Sequence, residues 1–180
     1  MKRVLMLSLI SSFVITQSYA TPTDTLFFDR GLQPDLKFSS IPLPIKMNFC
    51  GEEVPLHLQD VRERLDREII INRNLHSATE LIIKRTKRVF PIIEPILKEY
   101  GIPDDFKYLA VVETMLNIRA VSSAKAAGLW QFMEGTAKDY GLEVTSEVDQ
   151  RYDIELSTRA ACQYFKKAYE DFGDWSTVAA

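Results

Sequence analysis

The chain has 180 residues, enough for one ordinary domain and too few for two of comfortable size. Hydrophobic residues make up 46% and charged residues 26%, with only seven glycines and eight prolines. That balance excludes wholesale disorder, a collagen-like repeat and a multi-span membrane protein. A formal net charge of −3 lacks the basic excess of a nucleic-acid binder.

The first twenty residues read as a secretory signal peptide. Lys2 and Arg3 form a positive start, Val4 to Val14 is mostly apolar, and Ser18-Tyr19-Ala20 places small residues at −3 and −1 of a cleavage point. The apolar run is short for a membrane span, although an uncleaved N-terminal anchor is the alternative. No cysteine follows it, so a lipoprotein signal is absent. Removal of Lys2 and Arg3 shifts the net charge from −3 to −5. Cys50 and Cys162 are the only cysteines; export permits a disulfide between them, and two separate, partly buried thiols are the other reading. His57, His76 and the two cysteines are scattered without tight metal-ligand spacing, so no structural zinc site is expected.

Residues 21–58 are punctuated by Pro22, Pro34, Pro42, Pro44 and Pro55, which predicts an irregular arm with one short strand near Ile45 to Phe49. From Gln59 the pattern is helical, with Val61, Leu65 and Ile69 on one face. Ser77-Ala78-Thr79-Glu80 has capping-box spacing and predicts a new helix start. Pro91 predicts a kink or restart before Ile92, Ile93, Ile96, Leu97 and Tyr100, and Gly101 a stop. The basic run Lys84, Arg85, Lys87, Arg88 reads as a solvated helix face.

Pro103, Asp104 and Asp105 open the next helix, with Phe106, Leu109 and Ala110 inward. Residues 117–127 read as a loop, and Gly128 to Met133 as a return to helix. A further helix runs through Thr136 and Ala137 to Tyr140, stopped by Gly141, and Val148 to Tyr152 is a connector. A long helix spans Asp153 to Tyr169, and Trp175 to Ala180 begins one more. The fold class is mainly α, with helices around one core.

Glu113 does not fit a purely structural account. It aligns with Phe106, Leu109 and Ala110 on the expected buried face, near a helix C-terminus. Desolvation and the helix dipole both push such a carboxyl's pKa upward, which suits a general acid. A glutamate curling out to water at a helix end is the plain alternative.

The residues after Glu113 sharpen the choice. Ser122 stands nine positions on, Gln131 eighteen, and the run Gly128-Leu129-Trp130-Gln131-Phe132-Met133 leads to Thr136-Ala137. This pattern resembles the catalytic domain of lytic transglycosylases that cleave peptidoglycan, most closely the membrane-bound lytic murein transglycosylase D type, over roughly Arg85 to Ala180. The family's Glu-Ser is Glu113-Thr114 here. Its usual prolines are Ile118 and Glu134, and its usual glycine before the small pair is Lys125. A Tyr-Asn motif follows in the family just after the segment that ends here at Ala180, so the resemblance implies a missing C-terminal part. On that expectation apolar surface such as the Val178 face is exposed and solubility is poor.

The resemblance implies a lysozyme-like helical domain over residues 85–180, an N-terminal extension over 21–84, and a periplasmic or cell-envelope location. It implies that Glu113 acts alone as general acid and then base between N-acetylmuramic acid and N-acetylglucosamine, leaving 1,6-anhydro ends. Ser122, Gln131 and Met133 match substrate-side positions, with Gln131 expected to donate to an acetamido or carboxyl oxygen. Trp130 and Phe132 have two readings, sugar stacking or core, and Gly128 suits a close backbone approach. Peptidoglycan glycan strands are the expected partner, with no nucleic acid and no cofactor. A hydrolytic lysozyme needs a second carboxylate, from Asp104, Asp105, Glu134, Asp139 or Asp153. A non-catalytic wall-binding protein on the same fold is the reading of another class.

Overall fold

The computed structural model describes residues 41–180; the expected signal peptide and the first half of the irregular arm lie outside them. A short antiparallel hairpin, β1 (Asn48–Phe49) and β2 (Glu52–Glu53), turns through Cys50 and Gly51 at φ 55° and 84°. Two successive positive φ angles match the twist of a tight hairpin. Helices α1 (Gln59–Asn74) and α2 (His76–Glu99) follow. A single 3₁₀ turn (Asp104–Phe106) leads into α3 (Lys107–Thr114), and a looped segment into α4 (Glu134–Asp139). A second 3₁₀ turn (Gln150–Tyr152) precedes α5 (Ile154–Phe172) and α6 (Trp175–Ala179). The mainly α fold class read from the sequence is the one observed.

Helix α2 differs from expectation at two points. It starts at His76 with no side-chain cap, so Ser77 and Glu80 form no capping box; Glu80 instead pairs with Lys84 at 2.5 Å. It also runs unbroken through Pro91 and Pro95. The buried residues Val89, Ile93, Ile96 and Leu97 form one stripe, while both prolines are exposed. The carbonyls that lose a donor therefore face water, and burial of the opposite stripe offsets the roughly 3 kcal/mol cost of an interior proline. Gly101, at φ 69°, ends the helix as predicted. Val61, Leu65 and Ile69 of α1 share a face that is only half-buried.

The core joins α2 to α5, with α3 between the 3₁₀ turn and the site. Phe106 is its centre: fully buried, with ring centroids 4.8 Å from Phe165, 5.2 Å from Trp175 and 6.4 Å from Phe49. Asp153 caps α5 by accepting from the Leu156 amide at 2.8 Å, and Gly173 closes it at φ 80°. The Glu52 carboxylate of β2 accepts from the Trp175 and Ser176 amides at 2.8 and 3.0 Å. These bonds tie the hairpin to the start of α6. Val178, expected on an exposed face, is buried at 4% because α6 folds back onto α5. Cys50 and Cys162 are both free thiols, which excludes the disulfide reading here; burial pushes each thiol up to about 12. No described helix is long and apolar enough to cross a membrane.

Because Phe106 joins the hairpin, α5 and α6, Phe106→Ala is expected to cost about 3–5 kcal/mol and lower the thermal midpoint by roughly 10 °C or more, read by calorimetry.

Candidate active site

Helix α3 carries Glu113 one residue before its end. The seam it buries is narrow, running through Phe106, Ala110 and Thr114 at intervals of four. Glu113 sits beside this seam and is exposed, not buried as the sequence pattern predicts. It is nonetheless flanked by enough protein that desolvation raises its pKa above the ordinary glutamate value. Among the described residues no hydrogen bond or ion pair holds its carboxylate. Val112 and Met115 stand exposed at the same helix end, with Val112 at 81%, and Tyr108 is exposed near the helix start.

The helix stops abruptly. Met115 and Leu116 both adopt left-handed backbone, at φ 51° and 59°. The Met115 and Leu116 amides return to Val111 O (2.8 Å) and Ala110 O (3.3 Å), and the fully buried Leu116 side chain pins the turn. Thr114 is buried and shares its one hydroxyl proton between Ala110 O at 3.0 Å and, more weakly, Leu129 O at 3.4 Å. The second contact joins the Glu113 helix to the Gly128–Met133 segment.

That segment is not helical, contrary to the sequence reading. Isolated bridges pair Ala127 with both Val121 and Phe132, and Gln131 has φ 51°. A left-handed residue in mid-segment breaks any helix. Leu129, Trp130 and Phe132 are buried; the Trp130 indole N–H donates to Thr158 Oγ1 at 2.9 Å and the ring packs on Phe165. Trp130 and Phe132 are therefore core residues rather than sugar platforms.

Gly128 makes the close approach that the sequence suggests. At φ 79°, a Cβ would lie 1.8 Å from the Arg151 carbonyl oxygen. Only glycine fits there. Gly128 also links the loop internally: its amide donates to Ala120 O at 3.0 Å, and its carbonyl accepts from Gln131 Nε2 at 2.8 Å. Gln131 Nε2 also reaches Ala120 O at 3.3 Å, so Oε1 is left as an acceptor, whereas the sequence reading has this side chain donating. Ser122 Oγ accepts from the Ala126 amide at 3.0 Å and keeps its own proton to give. Met133 flanks α4 with 47% of its surface exposed and is not a core residue.

Sequence reasoning missed Arg151. Its side chain is buried and held by Asp149 through Nε–Oδ1 (2.9 Å) and Nη2–Oδ2 (2.7 Å); Nη1 donates to Lys125 O and Phe132 O, both at 3.1 Å. One guanidinium thus closes both ends of the loop. Hydrogen bonds from Arg151 hold the Asp149 carboxyl below its usual range. The only hint in the sequence was an acid and a base two positions apart in a stretch read as a connector.

Ser122 and Gln131 lie on one bridged loop, Met133 at its exit, and Thr114 ties that loop to the helix of Glu113. A cavity of about 470 Å³ lined by Ile118, Arg119 and Tyr152 opens beside the loop. A larger groove of about 810 Å³ runs along the end of α2 and the Pro103–Asp104 turn and does not include Glu113.

Helices packed on one core behind a small N-terminal hairpin are consistent with a lysozyme-like domain. The Transglycosylase SLT domain family model matches residues 90–180, half of the chain, and the chain belongs to that family. A membrane-bound lytic murein transglycosylase D of Escherichia coli is 31% identical over 137 residues, 73% of this chain and 29% of that protein. A putative tributyltin chloride resistance protein of Alteromonas sp. is 29% identical over 110 residues, 58% of this chain and 53% of that protein. The chain thus spans less than a third of the first relative and about half of the second.

Gly128→Ala is expected to cost about 3 kcal/mol or more, since the clash is with backbone rather than with a flexible side-chain end. Chemical denaturation reads the loss; an unchanged midpoint contradicts the tight packing described.

Proposed function

We propose that this chain is an exported peptidoglycan lytic transglycosylase of the membrane-bound lytic murein transglycosylase D type, acting in the periplasm or cell envelope. The observation that carries this reading is the family match over residues 90–180, a stretch that includes Glu113, whose carboxyl has no hydrogen-bond or ion-pair partner among the described residues. Glu113 protonates the glycosidic oxygen between N-acetylmuramic acid and N-acetylglucosamine, and the bond to C1 breaks. As carboxylate it then takes the proton of the muramic 6-hydroxyl, whose oxygen closes onto C1. The product carries a 1,6-anhydro end and no water is consumed. A raised pKa keeps the acid form available for the first step. Ser122 Oγ as donor and Gln131 Oε1 as acceptor suit the acetamido groups, and exposed Met133 suits an apolar sugar face.

The fate of the other carboxylates favours this over hydrolysis. A hydrolytic glycosidase uses a second carboxylate across the bond. Asp104 is paired with Lys107 at 2.5 Å and Glu134 with Lys138 at 2.6 Å. Asp105 accepts from the Cys50 amide at 2.7 Å, and Asp153 caps α5. Only Asp139 of the five candidates has no such task.

Digestion of purified peptidoglycan, with mass spectrometry of the released muropeptides, tests the reading. Anhydro ends, one water lighter than hydrolysis products and lost in Glu113→Gln, are expected. Reducing ends would move the enzyme to the muramidases, and binding without release would make it a non-catalytic wall-binding protein.

Activity is expected to fall as pH rises through the raised Glu113 value, because the first step needs the protonated acid. Stability follows the same sign. A carboxyl whose native pKa exceeds its unfolded one stabilises the fold fully below the unfolded value. That contribution is lost as pH rises through the native value. At neutral pH Glu113→Gln removes an anion from a helix C-terminus and is expected to gain stability, at most about 1 kcal/mol after solvent screening. Unfolding curves at pH 4 and pH 7 check this: the gain belongs to pH 7.

A further inference from the structure

The basic run on α2 contains one residue that is not part of a solvated face. Arg85 is half-buried, and its Nη1 donates to the Met115 carbonyl at 2.9 Å across thirty residues of chain. Met115 is the first of the two left-handed residues that end α3, and Glu113 lies two positions before it. The last carbonyls of a helix lack intrahelical partners and carry the negative end of its dipole. Met115 and Leu116 are not glycines, so their conformation persists only while surrounding contacts impose it. Leu116 is held from the core side and Thr114 from the loop side. The Met115 carbonyl is held by Arg85, and Met115's own side chain is exposed and imposes nothing.

We propose that Arg85 is a positioning residue for Glu113: by capping the left-handed turn at the end of α3 it fixes where the Glu113 carboxyl stands against the substrate. The inference rests on the lytic transglycosylase reading for its kinetic consequence. Its structural part does not. A guanidinium supplies both a directed donor and a permanent charge at the helix end, and a lysine in its place keeps the charge on a shorter-range point donor. A carboxyl that must first give and then take a proton at two different oxygens tolerates little displacement.

The full chain and its Arg85→Met, Arg85→Lys and Glu113→Gln variants are compared. With peptidoglycan as substrate, Arg85→Met is expected to lower kcat by about tenfold or more while KM stays within about twofold, and Arg85→Lys to recover part of the loss. In the Glu113→Gln background the same substitution should change the residual rate by less than about twofold, since there is no acid left to position. A second readout needs no catalysis: the Glu113 carboxyl is titrated by carbon NMR. Burial is what raises that carboxyl, so releasing the turn into water should lower its midpoint toward the ordinary glutamate value, and Arg85→Lys should bring it part of the way back. A titration in Arg85→Met that coincides with the wild type overturns the proposal. So does a loss confined to KM, which would make Arg85 a substrate contact, or an equal loss with and without Glu113. If the unaltered chain releases nothing while its Glu113 titration still responds to Arg85, the function reading fails and the positioning contact stands.

Discussion

The approach of the Gly128 backbone to the Arg151 carbonyl is the constraint on which the site depends. It brings the loop so close to the second 3₁₀ turn that no side chain fits between them. At that distance the Arg151 guanidinium reaches the carbonyls of Lys125 and Phe132, one on either side of Gly128. A buried loop must satisfy its backbone polar groups somewhere, and here an arginine already fixed by Asp149 supplies the donors. Gly128 then passes the order inward, to Ala120 through its amide and to Gln131 through its carbonyl. With Leu129 held in register, its carbonyl is where the Thr114 hydroxyl finds it. The path from Arg151 to the Glu113 helix runs through hydrogen bonds to the loop carbonyls, then along the loop backbone to Leu129, and from there to Thr114.

On the proposed function, helix α3 separates stability from chemistry within eight residues. Its entry is anchored by Phe106 and the aromatic cluster that joins hairpin, α5 and α6. Its exit carries exposed Val112 and Met115, a carboxyl with a raised pKa and two left-handed residues. Each of these costs stability by itself, and they are concentrated at the end that faces solvent. A helix this short cannot support such an exit alone. The tight entry, the Leu116 anchor and the Arg85 cap together keep it helical up to Thr114.

The helices were legible in the sequence where burial had helical spacing. Val89, Ile93, Ile96 and Leu97 marked α2 correctly even though prolines suggested a break, because a proline on the outer face removes a bond that water replaces. Asp153 and Gly101 marked ends that the structure keeps. The Gly128–Met133 run was misread because its apolar residues are buried without being periodic. Paired bridges around Ala127 bury Leu129, Trp130 and Phe132 from a turn, and one-dimensional spacing does not distinguish such a turn from a helix. Glu113 was misplaced by one position on the helix wheel. The seam through Phe106, Ala110 and Thr114 is narrower than the apolar composition of the segment suggests, since Val112 and Tyr108 face outward.

The residues that fix the site's geometry were the least legible, for a physical reason. A pattern of apolar periodicity reports what leaves water, and it assigns every cation to the solvent side. Arg85 and Arg151 are cations that each direct Nη1 to backbone carbonyls, and carbonyls have no sequence signature. The same holds for Thr114, whose methyl changes little while its hydroxyl bridges two elements. Glu113, Ser122 and Gln131 form a recognisable spacing because, on the proposed function, their residue types serve the reaction. The groups that orient them need only a donor at the right distance, and the fold can draw that donor from any element that passes nearby. Such residues become visible only when the partners of each buried carbonyl are traced.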